Sequence, residues 1–137
     1  MPIDLPVETA GGETLRLSAY RGRPTLLFLF ATYDSASQLA WTPLLKVRER
    51  FAHLQLLGIA LQPGADRLLD LYGETLGIRD PLTFDPSGEI LAGHTGLGPI
   101  EAIPGYVLLS AEGTLLARHT GAASASELEA WLRSALE

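Results

Sequence analysis

The most informative stretch of the chain reads Thr25-Leu-Leu-Phe-Leu-Phe-Ala-Thr-Tyr-Asp-Ser-Ala-Ser-Gln38. Its first part, residues 25–31, is an apolar run of strand length that is rich in aromatic residues and does not alternate with polar ones. Such a run is typical of a strand buried on both faces, in a sheet with helices on both sides. A small polar cluster, residues 34–37, then opens a helix. Because open α/β sheets bind ligands at the carboxyl ends of their strands, the turn at 33–37 is a candidate site.

The helix that follows the polar cluster is predicted to run from Ser35 or Ala36 to about Ala52, with Pro43 inside it. Its spacing of apolar residues predicts one buried face. The residues assigned to that face are Leu39, Leu44, Leu45, Val47 and Phe51.

The segments on either side complete an alternating α/β pattern. Gly11-Gly12 lies between two strand-like pieces and predicts an N-terminal β-hairpin. A second buried strand is predicted over residues 54–61, and an edge strand over residues 114–120. Ser124 and Glu127 have the spacing of a capping box, which predicts that the last helix begins there.

A further helix is predicted from Ala65 to about Thr75, ending at Leu76-Gly77, where glycine is a common C-cap. The residues assigned to its buried side are Leu68, Leu69, Leu71 and Tyr72.

Composition limits the possible functions. A chain of 137 residues suits one domain, and its net charge of −6 argues against nonspecific binding to nucleic acid or to an anionic membrane surface. The longest apolar run falls far short of the ~20 residues that a membrane span requires. The complete absence of cysteine excludes disulfides, thiolate metal sites and thiol redox chemistry by the chain itself.

The N-terminus has neither a basic segment nor an apolar one, so no signal peptide is predicted. We therefore expect a cytoplasmic protein if the chain is complete, and an extracytoplasmic one if a leader has been removed.

Several motifs resemble those of one family. Three stretches are similar to the thioredoxin fold, and in particular to TlpA/ResA-type thiol–disulfide oxidoreductases and the related redoxin group. They are Ala31-Thr32-Tyr33 before a helix with an internal proline, Leu82 to Glu89, and Ile103-Pro104 to Gly113. The resemblance covers nearly the whole chain. It implies a single domain over residues 1–137: an α/β three-layer sandwich with a central mixed sheet, helices on both faces and an N-terminal hairpin.

The resemblance also implies local features. These are a cis bond before Pro104, a short helix leading from Pro86 through His94, and a groove beside the cis-proline that faces an extended peptide or protein segment.

The chain departs from this family at the redox site, where the family has Cys-x-x-Cys. Counting forward from Tyr33, the two cysteine positions hold Asp34 and Ser37; counting back from Pro43, the second position is Gln38. The two counts differ by one residue, so the register of this loop stays open, with the forward count as the provisional choice.

The residues predicted to line a binding groove at the former redox site are Tyr33, Asp34, Ser35, Ser37, Trp41, Ile103 and Pro104. The polar ones also have a purely structural interpretation. Ser35-x-x-Gln38 has the spacing of a capping box, and Asp34 lies where a negative charge stabilises a helix N-terminus.

Neither a metal nor a cofactor is predicted. The three histidines are dispersed along the chain, and Gly93-x-x-Gly96-x-Gly98 does not match the dinucleotide-binding fingerprint.

Three functions are compatible with these observations. The first is a redox-inactive binding or scaffold module whose partner is an extended peptide or protein segment. The second is a non-thiol enzyme that uses Ser35 or Ser37 with His94, which requires a serine hydroxyl and the imidazole within hydrogen-bond reach. The third is an oxidoreductase whose cysteines have been replaced; Asp34 argues against it on the forward count, since such a replacement leaves serine at both positions. The sequence predicts no oligomeric state.

Overall fold

The computed structural model of the chain describes residues 2–62 and 64–137. Within these residues the elements are β1 (Pro6–Thr9), β2 (Thr14–Arg16), a 3₁₀ turn (Leu17–Tyr20), β3 (Thr25–Phe30), α1 (Ser35–Arg48), β4 (Gln55–Ala60), a second 3₁₀ turn (Ala65–Arg67), α2 (Leu69–Leu76), β5 (Leu82–Phe84), β6 (Gly105–Leu109), β7 (Leu115–Thr120) and α3 (Ala125–Leu136).

The strands form one mixed sheet in the order β2-β1-β5-β4-β3-β6-β7. The apolar run at 25–30 is its β3, which pairs in parallel with β4 and antiparallel with β6. The predicted hairpin, β1 and β2, joins the sheet beside β5. The carboxyl ends of β3, β4 and β5 therefore meet at one edge of the sheet, where the turn at 31–34 lies.

The two faces of the sheet carry separate cores, because successive side chains of a strand point to opposite faces. Leu26, Phe28 and Phe30 belong to one cluster, to which α1, α2 and α3 all contribute. Leu27 and Leu29 belong to the other cluster, which is covered by the first 3₁₀ turn, the N-terminal residues and the segment 90–103. The helices predicted on both faces are thus replaced on the second face by a short turn and loops.

The first helix is shorter than predicted and presents a different face. It ends at Arg48, and Leu39 is 75% exposed although it was assigned to the buried side. Helical positions three and four residues apart share a face. The positions that are buried are Ser37, Ala40, Trp41, Leu44 and Val47.

The prediction for the buried side of the second helix is confirmed for Leu69 and wrong for Leu68 and Leu71. Leu68 and Leu71 are 48% and 63% exposed, whereas Leu69 is buried. The predicted single helix is divided: residues 65–67 form a 3₁₀ turn, and α2 begins only at Leu69. This division leaves Leu69 and Gly73 as the buried face of α2.

The segment after β5 makes turns instead of the expected short helix through His94. The buried Asp85 carboxylate accepts hydrogen bonds from the backbone amides of Ser87 and Ile90, at 3.1 and 2.9 Å, which holds the chain in a turn. Gly88 and Gly93 have φ of +73° and +78° and interrupt any helical run.

Other predictions at element ends are confirmed. Gly77 caps α2 in the left-handed conformation, with φ +69°, and Ser124 and Glu127 form both hydrogen bonds of a capping box. No helix in the described part of the chain combines the length and the apolar character that a membrane crossing requires.

Candidate functional site

The turn between β3 and α1 is closed by its own polar side chains. Asp34 has extended backbone angles and is the N-cap of α1. Its Oδ2 accepts hydrogen bonds from the backbone amide of Ser37 at 2.9 Å and from the Ser37 hydroxyl at 2.7 Å. The Ser37 hydroxyl also accepts a hydrogen bond from the amide of Ala31, at 3.4 Å. The predicted capping box of Ser35 and Gln38 is therefore wrong, because Asp34 makes the capping contact.

A second link ties the turn to the chain that follows β4. The backbone amide of Thr32 donates to the side-chain oxygen of Gln62 at 3.0 Å, and the Gln62 amide group donates to the Thr32 hydroxyl. These two hydrogen bonds hold the carboxyl ends of β3 and β4 together and fix the backbone just before Tyr33.

The predicted groove residues differ widely in exposure. Tyr33 is 77% exposed and Ser35 is exposed, whereas Ser37 is buried. Pro104 is buried and Ile103 half-buried; the peptide bond between them is cis. Gly105 pairs with Leu29, so Ile103 and Pro104 lie beside the end of β3 from which the turn departs.

Trp41 does not line a surface. It is only 1% exposed and packs edge-on against Phe28 and Phe30, with ring centroids 4.7 and 5.3 Å apart. The reason is the phase of α1: Trp41 lies one turn beyond the buried Ser37, on the face that packs against the sheet. Its assignment to the groove was therefore wrong.

The geometry does not support a serine–histidine pair. The Ser37 hydroxyl donates to Asp34, while Nδ1 of His94 is hydrogen-bonded to Glu89 at 2.8 Å. Ile90 and Leu97, on either side of His94 in the chain, are buried in the cluster on the face opposite α1. No hydrogen bond joins His94 to Ser35 or Ser37 in the described part of the chain.

Sequence reasoning missed an apolar surface groove beside Tyr33, with a volume of about 260 Å³. We call it the α2 groove, because most of its wall comes from α2 and the residue before it. The residues that line it are Thr32, Tyr33, Gln38, Leu68, Leu71, Tyr72, Thr75 and Leu76. The available signal was the spacing of Leu68, Leu71 and Thr75, which lie on one side of a helix while Leu69 and Gly73 lie on another.

The floor of the α2 groove includes the ring of Tyr72, which stacks on Phe30 at 5.4 Å. Burial raises the pKa of Tyr72; the nearby Trp41 indole N–H acts in the opposite direction, and the Asp34 carboxylate adds to the rise. The buried hydroxyl of Tyr72 and the indole nitrogen of Trp41 do not meet the geometry of a hydrogen bond. Asp34 directly follows Tyr33, which lines the groove.

Solved structures similar to this chain are thiol–disulfide oxidoreductases. A thiol:disulfide interchange protein of the thioredoxin family from Chlorobium tepidum matches with a TM-score of 0.78 and 20% identity, over 99% of this chain and 95% of that chain. A secreted disulfide oxidoreductase of Mycobacterium tuberculosis, homologous to E. coli DsbE, matches with a TM-score of 0.76 and 18% identity, over 95% of each chain. A DsbF homologue from Corynebacterium diphtheriae has a TM-score of 0.80 and 17% identity, over 97% of this chain and 85% of that chain.

These likenesses show that the chain has a thioredoxin-like α/β fold, as the sequence predicted. No protein-family model matches the sequence, and a comparison with curated proteins finds no match. At identities this low the likeness concerns the fold alone. The described chain differs from a dithiol enzyme in one decisive respect, since it contains no cysteine.

Proposed function

We propose that this protein is a redox-inactive binding module, which uses the thioredoxin-like scaffold to hold an extended peptide or protein segment. The observation that supports the proposal is a turn closed by its own polar side chains, in a chain that contains no cysteine. At the positions where the resemblance, on the forward count, places the two cysteines, Asp34 and Ser37 are bonded to each other and to the backbone. Neither side chain can exchange electrons with a disulfide, because that exchange requires a thiolate.

The surface around this turn supports the binding role. Tyr33, Leu39, Leu68 and Leu71 are all large apolar side chains that are about half exposed or more. Single exposed apolar residues are common, but a group of them beside a groove is a mark of an interaction site. Tyr33 forms one side of the α2 groove, and Leu68 and Leu71 form the other.

An insulin reduction assay with dithiothreitol tests the loss of redox activity. We expect insulin to precipitate at the rate set by dithiothreitol alone, whatever the concentration of this protein. A dithiol thioredoxin serves as the positive control. Precipitation that accelerates in proportion to the added protein would contradict the proposal.

A further inference from the structure

A half-buried histidine lies between two aromatic rings where α3 packs against the edge of the sheet. His119 is directly opposite Tyr106 in the pairing of β6 with β7, and their ring centroids are 5.5 Å apart. The ring of Trp131, from α3, has its centroid 5.8 Å from that of His119. The rings of Tyr106 and Trp131 are 6.3 Å apart, so three separate elements meet at this imidazole.

Both aromatic partners of His119 lie within reach of a cation–π contact. A cation within about 6 Å of an aromatic ring centroid is attracted by the negative face of the ring, and tryptophan attracts it most strongly. A neutral imidazole beside Tyr106 and Trp131 has packing contacts alone. A protonated one has the same contacts and, in addition, this electrostatic attraction.

A carboxylate of α3 also faces the imidazole. Glu127 is four residues before Trp131, so the two side chains lie on the same side of the helix. Hydrogen bonds with Ser124 lower the pKa of Glu127, desolvation opposes them, and the charge of His119 lowers it further. Glu127 therefore carries a negative charge at neutral pH, close enough to His119 to attract a protonated ring.

Two further charged groups line a small pocket together with His119. Glu101, in the loop before β6, adds a second negative charge, whereas Arg118 brings a positive one. The guanidinium of Arg118 donates a hydrogen bond to the carbonyl of Pro99. Successive side chains of a strand point to opposite faces, so Arg118 and His119 diverge from each other. The surroundings of the imidazole thus favour a positive charge on the ring.

We propose that His119 is a pH-dependent link between the edge strand β7 and the C-terminal helix α3, and that protonation of its imidazole strengthens this link. The protonated ring is held by the faces of Trp131 and Tyr106 and by the carboxylate of Glu127. These interactions join β6, β7 and α3, so they exist only in the folded chain. The inference concerns the docking of α3 and is independent of the proposed peptide binding.

The direction of the pH dependence follows from proton linkage. An interaction that only the protonated ring makes in the folded chain favours folding whenever a proton is bound. Stability therefore rises as the pH falls through the range around 6.5, where histidine side chains ordinarily take up a proton. Carboxylates ordinarily titrate near pH 4, so between pH 8 and pH 5.5 the histidines are the side chains that change charge.

Urea unfolding at pH 8 and at pH 5.5 tests the link in the wild type and in His119→Gln. We expect acidification to lower the unfolding equilibrium constant of the wild type about three- to tenfold more than that of the variant. His94→Gln is the matched control, because His94 is exposed and its ion pair with Glu89 is of a kind that contributes little. This control should keep most of the wild-type pH dependence.

A second variant keeps the histidine and removes one aromatic partner. Trp131→Leu retains an apolar side chain on α3 but no ring face, and it should lose part of the stabilisation that acidification gives the wild type. Because His119 is unchanged in this variant, the test stands even if His119→Gln does not fold.

Two outcomes would overturn the inference. If the wild type and His119→Gln respond equally to acidification, the imidazole does not act as a link, and if the variant gains more stability, the cost of burying the charge outweighs the attraction. If Trp131→Leu keeps the whole wild-type response, the tryptophan ring plays no part and the central contact of the proposal is wrong.

Discussion

Asp34 and Ser37 form a closed pair at the start of α1: one carboxylate oxygen accepts both the backbone amide and the hydroxyl of the serine, at 2.9 and 2.7 Å. On the forward count these are the two positions at which the resembling oxidoreductase family has cysteine. The pair spans the N-cap and the third residue of the helix, the spacing of a capping contact. The positions that hold the dithiol in that family therefore form a helix cap in this chain.

The capping role predicts a graded loss of stability. Asp34→Ala removes the cap and should lower the free energy of unfolding by about 1 kcal/mol. Ser37→Ala removes a buried hydroxyl that bonds Asp34 and Ala31, and should cost roughly 1–3 kcal/mol. Urea unfolding measures both. Ser35→Ala, at an exposed neighbouring position, is the control, and a loss there as large as that of Asp34→Ala would show that Ser35 is the cap after all.

The same pair predicts which positions can regain a redox site. In the double variant Asp34→Cys and Ser37→Cys, the thiols replace two side chains already in contact, and the first lies at a helix N-terminus, which favours the thiolate. We expect this variant to form a disulfide and to accelerate insulin reduction by dithiothreitol. The matched variant Ser35→Cys and Gln38→Cys tests the other register; if it alone is active, the count back from Pro43 is the correct one.

The burial of Trp41 depends on a glycine in β4. A Cβ atom on Gly58 would lie 2.8 Å from Leu82 and 3.0 Å from the Trp41 ring. Gly58→Ala should therefore force core side chains apart and cost about 1–3 kcal/mol in the free energy of unfolding. Gly11→Ala, where the nearest atom is 3.8 Å away, is the control. Equal stability of the two variants, measured by thermal unfolding, would mean that Trp41 is not held as described.

Tyr106 predicts a loss of stability at high pH. Burial raises its pKa to about 12 from 10.0; the nearby Ala123 backbone opposes this rise, and the Glu127 carboxylate adds to it. Above the unfolded pKa, the unfolded chain releases the phenolic proton while the folded chain retains it. The contribution of this group is therefore fully present below pH 10.0 and is lost as the pH rises through about 12.

The pKa shift of Tyr106 corresponds to a loss in the free energy of unfolding on the order of 2 kcal/mol. Urea unfolding of the wild type and of Tyr106→Phe, at pH 8 and at the highest pH that keeps the protein folded, measures it. Tyr20 and Tyr72 also have raised pKa values but are present in both proteins, so they cancel in the comparison. A pH dependence that is the same in both proteins would contradict the assignment to Tyr106.

The features that follow from local rules could be predicted from the sequence. Residues 25–30 form a buried strand because their apolar run allows few alternatives, and Ser124 and Glu127 cap α3 because their spacing satisfies two backbone groups at once. The fold followed from such elements in their order along the chain.

The features that depend on which side of a helix faces the core could not be predicted from the sequence. The sequence Leu68-Leu69-Asp70-Leu71-Tyr72 is apolar on several sides, so only the packing of Leu69 and Gly73 against the sheet decides which leucines remain exposed. The predictions for Trp41 and Leu39 were wrong for the same reason. Because the buried face of α1 was assigned with an offset, Leu39 was expected in the core and Trp41 at the surface, whereas the structure has the reverse. The α2 groove was missed because its leucines were assigned to the core.

We propose above all that this cysteine-free scaffold binds a peptide segment beside the turn at residues 33–37. The most direct test is a titration of the ¹⁵N-labelled protein, followed by amide chemical shifts, with two peptides of equal length in which leucine alternates with lysine in one and with serine in the other. We expect shifts that saturate and cluster in residues 32–39 and 68–76, with little change in β2 and β7. Shifts absent with both peptides, or clustered away from these two segments, would contradict it.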